Sequence, residues 1–228
     1  MKISILIPVF NEEKTIDLIL KKVLKETTFW QREIIVINDG STDQTLKKLQ
    51  KFLSEIILIN LPKNQGKGQA LKKGLEKATG DVIIIQDADL EYEPKDYSRI
   101  LEPILKGETE IVFGSRNLRQ RKYIYKRYLF GGIFLTELLN FIFKTKLTDI
   151  NTGYKVFKKK ILKEIGIQSR GFEVCEELTV KALKRKLKII EVPVSYNPRT
   201  FQEGKKIKWL DGLKAIWTIF YFVFLKRK

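Results

Sequence analysis

Two aspartates separated by one residue, Asp87 and Asp89, follow directly after the apolar run 82–85. Carboxylates with this spacing offer hard oxygen ligands from one turn, and Mg²⁺ or Mn²⁺ takes such ligands together with water and substrate phosphates. The pair therefore predicts a divalent-metal site that binds a nucleotide or sugar diphosphate. A solvated acidic turn is the alternative interpretation for an isolated pair of this kind.

The elements that must position this pair alternate between strand and helix patterns. Strand patterns lie at 3–9, 33–38, 56–60 and 82–85, and helix patterns lie at 13–26, 42–53 and 68–79. We expect Ser41 or Thr42 to cap the second helix and Gly80 to close the third. This order predicts the α/β class, with a mostly parallel sheet and helices on both faces. Ligands collect at the carboxyl ends of such strands, so the two aspartates should line a crevice.

Three other loops at the same predicted edge carry polar residues, at 8–13, 38–43 and 64–68. A carboxylate such as that of Asp39 can accept hydrogen bonds from a base or a ribose, and a Gly-Lys-Gly turn lets backbone and ammonium approach a phosphate. Each loop taken alone is equally compatible with a structural turn or a helix start. The patterns GxxxxGK[ST] and GxGxxG are absent, which argues against P-loop and dinucleotide-binding proteins.

The second half of the chain is less regular. Strands are predicted at 111–114 and 189–194 and a helix at 172–186, and prolines and a glycine interrupt the late loop. Internal repeats and clear linkers are absent from the sequence. We therefore predict one domain over residues 1–208 and a basic, aromatic membrane-interface helix over residues 209–228.

Composition excludes several kinds of chemistry. The chain has 228 residues, no histidine and one cysteine, Cys175. Zinc hydrolases and histidine-based triads are therefore poor candidates, and a disulfide within the chain is excluded. The sequence begins directly with a strand pattern rather than with a signal peptide, so we expect the protein at the cytoplasmic face of a membrane.

The net charge of +17 is unevenly distributed. Residues 1–110 carry 17 Lys or Arg against 18 Asp or Glu, whereas residues 111–228 carry 27 against 9. The basic half contains the apolar runs 128–143 and 215–225, and both are shorter than the roughly 20 residues needed to span a bilayer. Aromatic residues flanked by Lys and Arg instead favour helices at an anionic membrane surface, and packed core helices are the alternative.

The ordered motifs resemble a known family. The series PVFNEE, NDGSTD, NQGKGQAL and QDADLEYEP resembles the nucleotide-sugar half of the family-two inverting glycosyltransferases, which have the GT-A fold. The later segments FGSR, LTDINTGYKVF, FEVCEELTVKAL, EVPVSYNPRT and EGKKIKW resemble the polyprenyl-phosphate glycosyltransferases, the branch that includes dolichyl-phosphate mannose synthase. The resemblance covers nearly the whole chain.

This resemblance implies roles for named residues. Asp87 would contact the ribose or a metal-bound water, Asp89 would bind the Mg²⁺ or Mn²⁺ ion, and Glu91 would complete the metal shell. The base and ribose would be held by Pro8, Phe10, Glu12 and Asp39, with Gly66 and Lys67 nearby. The diphosphate would be covered by Arg199 and by Lys205 or Lys206. Two positions depart from the family pattern, because Phe10 replaces a common Tyr and Asn38 replaces a frequent Asp.

The predicted reaction is inverting transfer of a hexose, mannose or glucose, from a GDP- or UDP-sugar to a polyprenyl (dolichyl or undecaprenyl) phosphate. Metal at Asp89 and cations from Arg199 and Lys206 would stabilise the leaving diphosphate. A polyprenyl phosphate is already an anion and needs no base, and Arg116 and Arg127 are the candidates that would bind it.

A hydroxyl acceptor is the alternative within enzymes, and it would require a carboxylate base. The candidates for that base are Asp149, Glu173, Glu176 and Glu177. A nucleotidyltransferase is a further alternative, because it too needs a nucleotide and a metal. The charge also raises nucleic-acid binding, but the chain has no nucleic-acid motif and we expect no nucleic-acid partner. Since no run spans a bilayer, the sequence leaves room for a separate membrane partner.

Overall fold

One sheet organises the chain. Residues 1–119, 126–207 and 209–225 are described by the computed structural model. In this part of the chain the strands are β1 (Ile3–Val9), β2 (Arg32–Asn38), β3 (Ile57–Asn60), β4 (Val82–Ile85), β5 (Ile111–Ser115), β6 (Lys155–Lys158) and β7 (Ile189–Pro193). The helices are α1 (Ile16–Glu26), α2 (Thr45–Leu49), α3 (Lys67–Lys77), α4 (Tyr97–Leu105), α5 (Lys126–Phe143), α6 (Lys159–Ile165), α7 (Val174–Lys184) and α8 (Trp209–Phe220). Short 3₁₀ segments occur at Gln50–Phe52 and Pro94–Asp96, and a π-helical turn at Tyr221–Leu225 follows α8.

The strand order is β3-β2-β1-β4-β6-β5-β7. Strand β1 pairs in parallel with β2 and with β4, β2 pairs in parallel with β3, and β5 pairs in parallel with β7. Strand β6 runs antiparallel to both β4 and β5. All strands except β6 therefore end at one edge, and the chain order reverses between β1 and β4, which is where open α/β sheets bind ligands.

Apolar side chains cover both faces of the sheet. In β1, Ile5 and Ile7 pack on one face with residues of α1 and α4, whereas Leu6 packs on the other face with residues of α3 and α7. This alternation follows from the two-residue period of a strand. Strand β4 is buried at every position, as expected for a central strand covered by helices on both sides. The predicted mostly parallel α/β fold is confirmed.

A third apolar cluster joins α5, α7 and α8. Leu139 of α5, Val180 of α7 and Ile219 of α8 are fully buried within it. The outer surfaces of α5 and α8 expose large apolar side chains, among them Phe141 at 85% and Trp217 at 62%. Among the described helices, none combines the length and the apolar character that crossing a membrane would require. The division at residue 208 stays a prediction, and α8 packs against the rest of the fold.

Several element boundaries differ from the sequence prediction. Strands β1 and β4 have the predicted bounds, but α2 begins at Thr45 and neither Ser41 nor Thr42 caps it. The Ser41 hydroxyl instead accepts the backbone N–H of Asn11 at 2.9 Å, and the Thr45 N–H is accepted by Asp43 Oδ1 at 2.9 Å. Elements α4, β6 and α6 were not predicted. Helix α4 contains a proline, and β6 is only four residues long with a lysine at each end.

Candidate active site

Asp39, at the end of β2, fixes the shape of the neighbouring loop. Its two carboxylate oxygens accept the backbone N–H groups of Gln65 and Gly66, each at 2.8 Å. Asn38 beside it donates from Nδ2 to Asn60 Oδ1 at 2.6 Å, which ties β2 to β3. The structure thus gives Asp39 a positioning role that sequence reasoning missed, and its contact with base or ribose stays a prediction.

The two glycines around Lys67 allow close packing against the loop 168–171. Gly66 has φ +95°, and a Cβ added there would overlap the carbonyl oxygen of Arg170. A Cβ on Gly68 would overlap the neighbouring carbonyl of Ser169 in the same way, and Gly68 N–H donates to Arg170 O at 2.7 Å. Both glycines are therefore required by the approach of a second loop, which holds Lys67 at the start of α3.

Lys67 binds the first aspartate of the acidic pair. Its Nζ donates to Asp87 Oδ1 at 2.5 Å, and both side chains are largely buried. Burial acts to lower the pKa of Lys67, but the Asp87 carboxylate outweighs it and the pKa is raised. On the other side of Asp87, a Cβ on Gly153 would collide with Oδ2. The loop before β6 therefore reaches the acidic pair through a residue without a side chain.

Arg199, in the loop after β7, joins three acidic residues that follow the carboxyl ends of two strands, β1 and β4. Its Nη2 donates to Asp89 Oδ2 at 2.8 Å, its Nη1 donates to Glu12 Oε2 at 3.0 Å, and its backbone N–H donates to Glu91 Oε1 at 2.9 Å. Lys206 Nζ also reaches Glu12 Oε1, at 2.5 Å. The structure thus brings Arg199 and Lys206 together with the acidic residues at the carboxyl ends of β1 and β4.

The rest of the predicted donor set lies around this cluster. Lys206 Nζ also donates to the carbonyl of Phe10 and lies 5.8 Å from the centre of its ring. Pro8 pairs with Ile37 in the β1–β2 register. Lys205 contributes its backbone N–H to Thr200 O at 3.2 Å. Of the two lysines, Lys206 is therefore the one whose ammonium contacts Glu12.

The acidic cluster contains more carboxyl groups than cationic groups. Four carboxylates face three cations, as Glu12, Asp87, Asp89 and Glu91 contact Lys67, Arg199 and Lys206. Burial, and then the charges of Asp87 and Glu91, raise the pKa of Asp89 to about 7 despite Arg199. In addition, Arg199 Nε is buried and lacks a hydrogen-bond partner within the described residues. A bound cation would fit the surplus of carboxyl groups. A bound anion that changes the position of Arg199 would fit this Nε.

The donor set matches a hard divalent ion, because Asp87, Asp89 and Glu91 offer only carboxylate oxygens. Among the described residues, three such side chains do not already converge in a metal-ligand arrangement. Asp87 and Asp89 are instead paired with Lys67 and Arg199. The residues therefore fit Mg²⁺ or Mn²⁺ in their chemistry, and Arg199 is hydrogen-bonded to Asp89 Oδ2 in this structure.

A second charged site lies at the end of β5. Arg116 forms a two-pronged ion pair with Asp149, from Nε to Oδ2 at 2.6 Å and from Nη2 to Oδ1 at 2.7 Å. Burial acts to lower the pKa of Arg116, but the facing carboxylate raises it well above its usual value. Glu191 Oε1 in turn accepts the backbone N–H of Asp149 at 2.9 Å. The side chain of Arg127, the other predicted phosphate ligand, lies outside the described residues.

This ion pair changes the interpretation of Asp149 as a base. Both of its oxygens accept hydrogen bonds from Arg116, so the carboxylate is committed to holding that guanidinium. Two of the other base candidates are also structural, because Glu173 and Glu177 accept backbone N–H groups of the loop 168–171. Glu176 differs, because within the described residues its side chain accepts a hydrogen bond only from Asn151 Nδ2, and burial raises its pKa to about 7.

Comparison with known proteins gives a consistent result. A family model described as Glycosyl transferase family 2 matches residues 4–166. The chain is 30% identical over 239 residues to a UDP-N-acetylglucosamine–dolichyl-phosphate N-acetylglucosaminyltransferase of Methanococcus voltae, covering 95% of this chain and 94% of that protein. It is 31% identical over 229 residues to a dolichyl-phosphate beta-glucosyltransferase of Trichomonas vaginalis, covering 90% and 68%.

The match to a dolichol-phosphate mannosyltransferase of Pyrococcus furiosus is 26% over 211 residues and covers 90% of this chain but 59% of the relative. The chain thus spans less than two thirds of that protein. Among solved structures, glucosyl-3-phosphoglycerate synthase from Mycobacterium tuberculosis with Mn²⁺, UDP and phosphoglyceric acid has a TM-score of 0.76 at 20% identity. That alignment covers 100% of this chain and 80% of the synthase, and it shows a shared fold.

Proposed function

Because the chain belongs to glycosyl transferase family 2, we propose that it transfers a hexose with inversion from a nucleoside diphosphate sugar to a polyprenyl phosphate. The observation that carries this proposal is the convergence of Arg199, Lys206 and Lys67 on the acidic residues at the carboxyl ends of β1 and β4. It supplies cations beside a carboxylate cluster, which is the chemistry that a metal-bound diphosphate requires.

The donor side follows from the charges. In the transfer, the bond from the anomeric carbon to the β-phosphate oxygen breaks while a bond from that carbon to an acceptor phosphate oxygen forms. Negative charge grows on the departing diphosphate, and Arg199 and Lys206 would stabilise it electrostatically. Asp87, Asp89 and Glu91 would hold a Mg²⁺ or Mn²⁺ ion, which when bound supplies Lewis-acid neutralisation of the diphosphate.

The acceptor is proposed from two lines of support. The three named relatives differ in their sugar but share a dolichol or dolichyl phosphate acceptor in their names. Arg116 supports an anionic acceptor, because its fork to Asp149 uses Nε and Nη2 while an arginine has five N–H donors. A phosphate acceptor is already an anion, so the commitment of Asp149 to Arg116 removes nothing that the reaction needs.

The names of the relatives narrow the choice of sugar and nucleobase less than they narrow the choice of acceptor. Relatives that transfer mannose, glucose and N-acetylglucosamine are all represented, and one of them is named for a UDP-sugar. We propose GDP-mannose, UDP-glucose and UDP-N-acetylglucosamine as the donors to test. A sugar, lipid or protein hydroxyl is the alternative acceptor, with Glu176 as the carboxylate whose raised pKa best suits a base.

We also propose that α5 and α8 rest on the membrane that contains the acceptor. Their exposed aromatic residues include Phe134, Phe141, Trp209 and Trp217. Large aromatic side chains with neighbouring lysines and arginines favour the headgroup region of anionic membranes. The terminal basic residues 226–228, which the sequence prediction also used, lie outside the described residues. A cytoplasmic location and a separate membrane partner are parts of the same hypothesis.

The test is a transfer assay with purified protein, Mn²⁺ or Mg²⁺, and each of the three labelled donors. Dolichyl phosphate and undecaprenyl phosphate are compared with dolichol, which presents a hydroxyl. We expect labelled lipid and nucleoside diphosphate only with the phosphates, and strong loss of product in Asp89→Asn. Asp81→Asn is the matched control. Asp81 directly precedes the first residue of β4, at the end of the strand opposite to Asp89, and accepts the backbone N–H of Lys2. Product with dolichol alone, or full activity of Asp89→Asn, contradicts the proposal.

A further inference from the structure

Tyr196 lies between the acidic cluster and the Arg116 site. Its hydroxyl donates to Glu91 Oε2 at 2.8 Å, and Arg116 Cζ lies 5.1 Å from the centre of its ring. The other oxygen of Glu91 accepts the backbone N–H of Arg199. One side chain therefore contacts both a carboxylate proposed for the donor site and the arginine proposed for the acceptor site.

The backbone around Tyr196 is firmly held. An isolated antiparallel bridge pairs Tyr196 with Tyr92, and their ring centres are 5.3 Å apart. The neighbouring Ser195 donates its N–H to Asp96 Oδ2 at 2.6 Å, and Asn197 donates its N–H to Glu91 O at 2.9 Å. Tyr196 is thus fixed on both sides along the chain and through its ring.

Tyr92 connects Tyr196 to the acidic pair. The hydroxyl of Tyr92 accepts the backbone N–H of Gly153 at 3.0 Å, and Gly153 packs directly against Asp87. Tyr92 and Tyr196 therefore form a small aromatic wall between Arg116 and the carboxylates. A ring face attracts a guanidinium, and a phenol can orient a carboxylate through a charge-assisted hydrogen bond.

We propose that Tyr196 is a positioning residue that sets the geometry of donor and acceptor sites together, a role that rests on the proposed function. Its hydroxyl keeps Glu91 Oε2 in place, so that Glu91 remains oriented when Arg199 leaves the acidic residues to meet a diphosphate. Its ring supports the face of Arg116, whose edge is fixed by Asp149. The hydroxyl therefore serves the donor and the ring serves the acceptor.

The two parts of Tyr196 can be tested separately. Tyr196→Phe keeps the ring and removes the bond to Glu91, so we expect KM for the sugar nucleotide to rise about tenfold, as for a lost hydrogen bond to a charged group. KM for the lipid phosphate should stay unchanged. Tyr196→Leu removes the ring as well, and both KM values should rise. Tyr154→Phe is the matched control, because within the described residues the Tyr154 hydroxyl bonds only the backbone carbonyl of Glu93.

A double-mutant cycle distinguishes positioning from simple stability. In a Glu91→Ala background, Tyr196→Phe should add little to the donor KM, because both changes remove the hydrogen bond between Tyr196 and Glu91. Direct titration with UDP and Mn²⁺ gives the same comparison without turnover, so it tests Tyr196 even if the wild-type protein transfers no sugar. Equal rises in both KM values for Tyr196→Phe, no change in donor binding, or full additivity with Glu91→Ala would overturn the proposal.

Discussion

Replacing Glu176 with glutamine is expected to stabilise the folded protein at neutral pH. Glu176 is only 3% exposed and accepts a hydrogen bond from Asn151 Nδ2. Burial raises the pKa of its carboxyl to about 7, so ionisation above that pH places a charge in a poorly solvated position. Glutamine has a similar length and keeps an acceptor oxygen for Asn151, but it carries no charge.

The size of the effect follows from proton linkage. The unfolded chain ionises Glu176 near its ordinary pKa of 4.5, whereas the folded protein retains the proton up to about 7. The stability that the protonated form contributes is therefore complete below 4.5 and is lost as the pH rises through 7. At about 1.4 kcal/mol per pH unit, this interval corresponds to roughly 3 kcal/mol.

Urea unfolding of wild type and Glu176→Gln across this pH range measures the difference in the free energy of unfolding. The advantage of the variant should grow with pH and level off above 7. Glu177→Gln is the control, because Glu177 is fully buried, accepts the N–H groups of Gln168 and Ser169 and pairs with Lys181, so this variant should lose stability. A Glu176→Gln difference that is constant with pH, or that falls as pH rises, refutes the reasoning.

Three other predictions concern separate parts of the molecule. Gly153→Ala should lower transfer activity at least tenfold by displacing Asp87, while Gly212→Ala, which has open space at its Cβ position, should leave activity unchanged. Burial lowers the pKa of Lys155 to about 8, so the unfolding free energy of wild type relative to Lys155→Met should rise with pH between 8 and 10.5 in a urea series. Trp217→Glu should reduce cosedimentation with anionic vesicles severalfold, and an unchanged bound fraction contradicts the membrane proposal.

Local patterns were sufficient for the sheet and its polar edge. The apolar runs of β1 and β4 fixed those strands to the residue, and the carboxyl ends of β1 to β4 meet as predicted. The sequence also drew attention to Asp89 and Arg199, which are hydrogen-bonded to each other. The strands could be predicted from periodicity, whereas Arg199 was identified through the family resemblance.

The pairings within the site could not be predicted in the same way. Arg199 and Glu12 are separated by 187 residues, and no local pattern indicates that they meet. Asp149 was a candidate base in the sequence, which gives no sign of its pairing with Arg116. Lys155 looks like a surface lysine in the sequence, yet it is 1% exposed and its Nζ donates to Ile150 O at 2.8 Å. No local sequence pattern distinguishes Arg199, Asp149 and Lys155 from ordinary surface residues.

The reversed direction of β6 has a consequence for how such enzymes diversify. Because β6 starts at the edge where the other strands finish, the segment 149–153 that precedes it enters the cleft from the second half of the chain. Within that segment, Asp149 forms an ion pair with Arg116, and Gly153 packs against Asp87. Sequence changes at residues 150–152 would therefore act between the Arg116 site and the acidic pair while β1 to β4 keep their register. Under the proposed function, this segment is where acceptor preference would change with the donor-binding strand ends left intact.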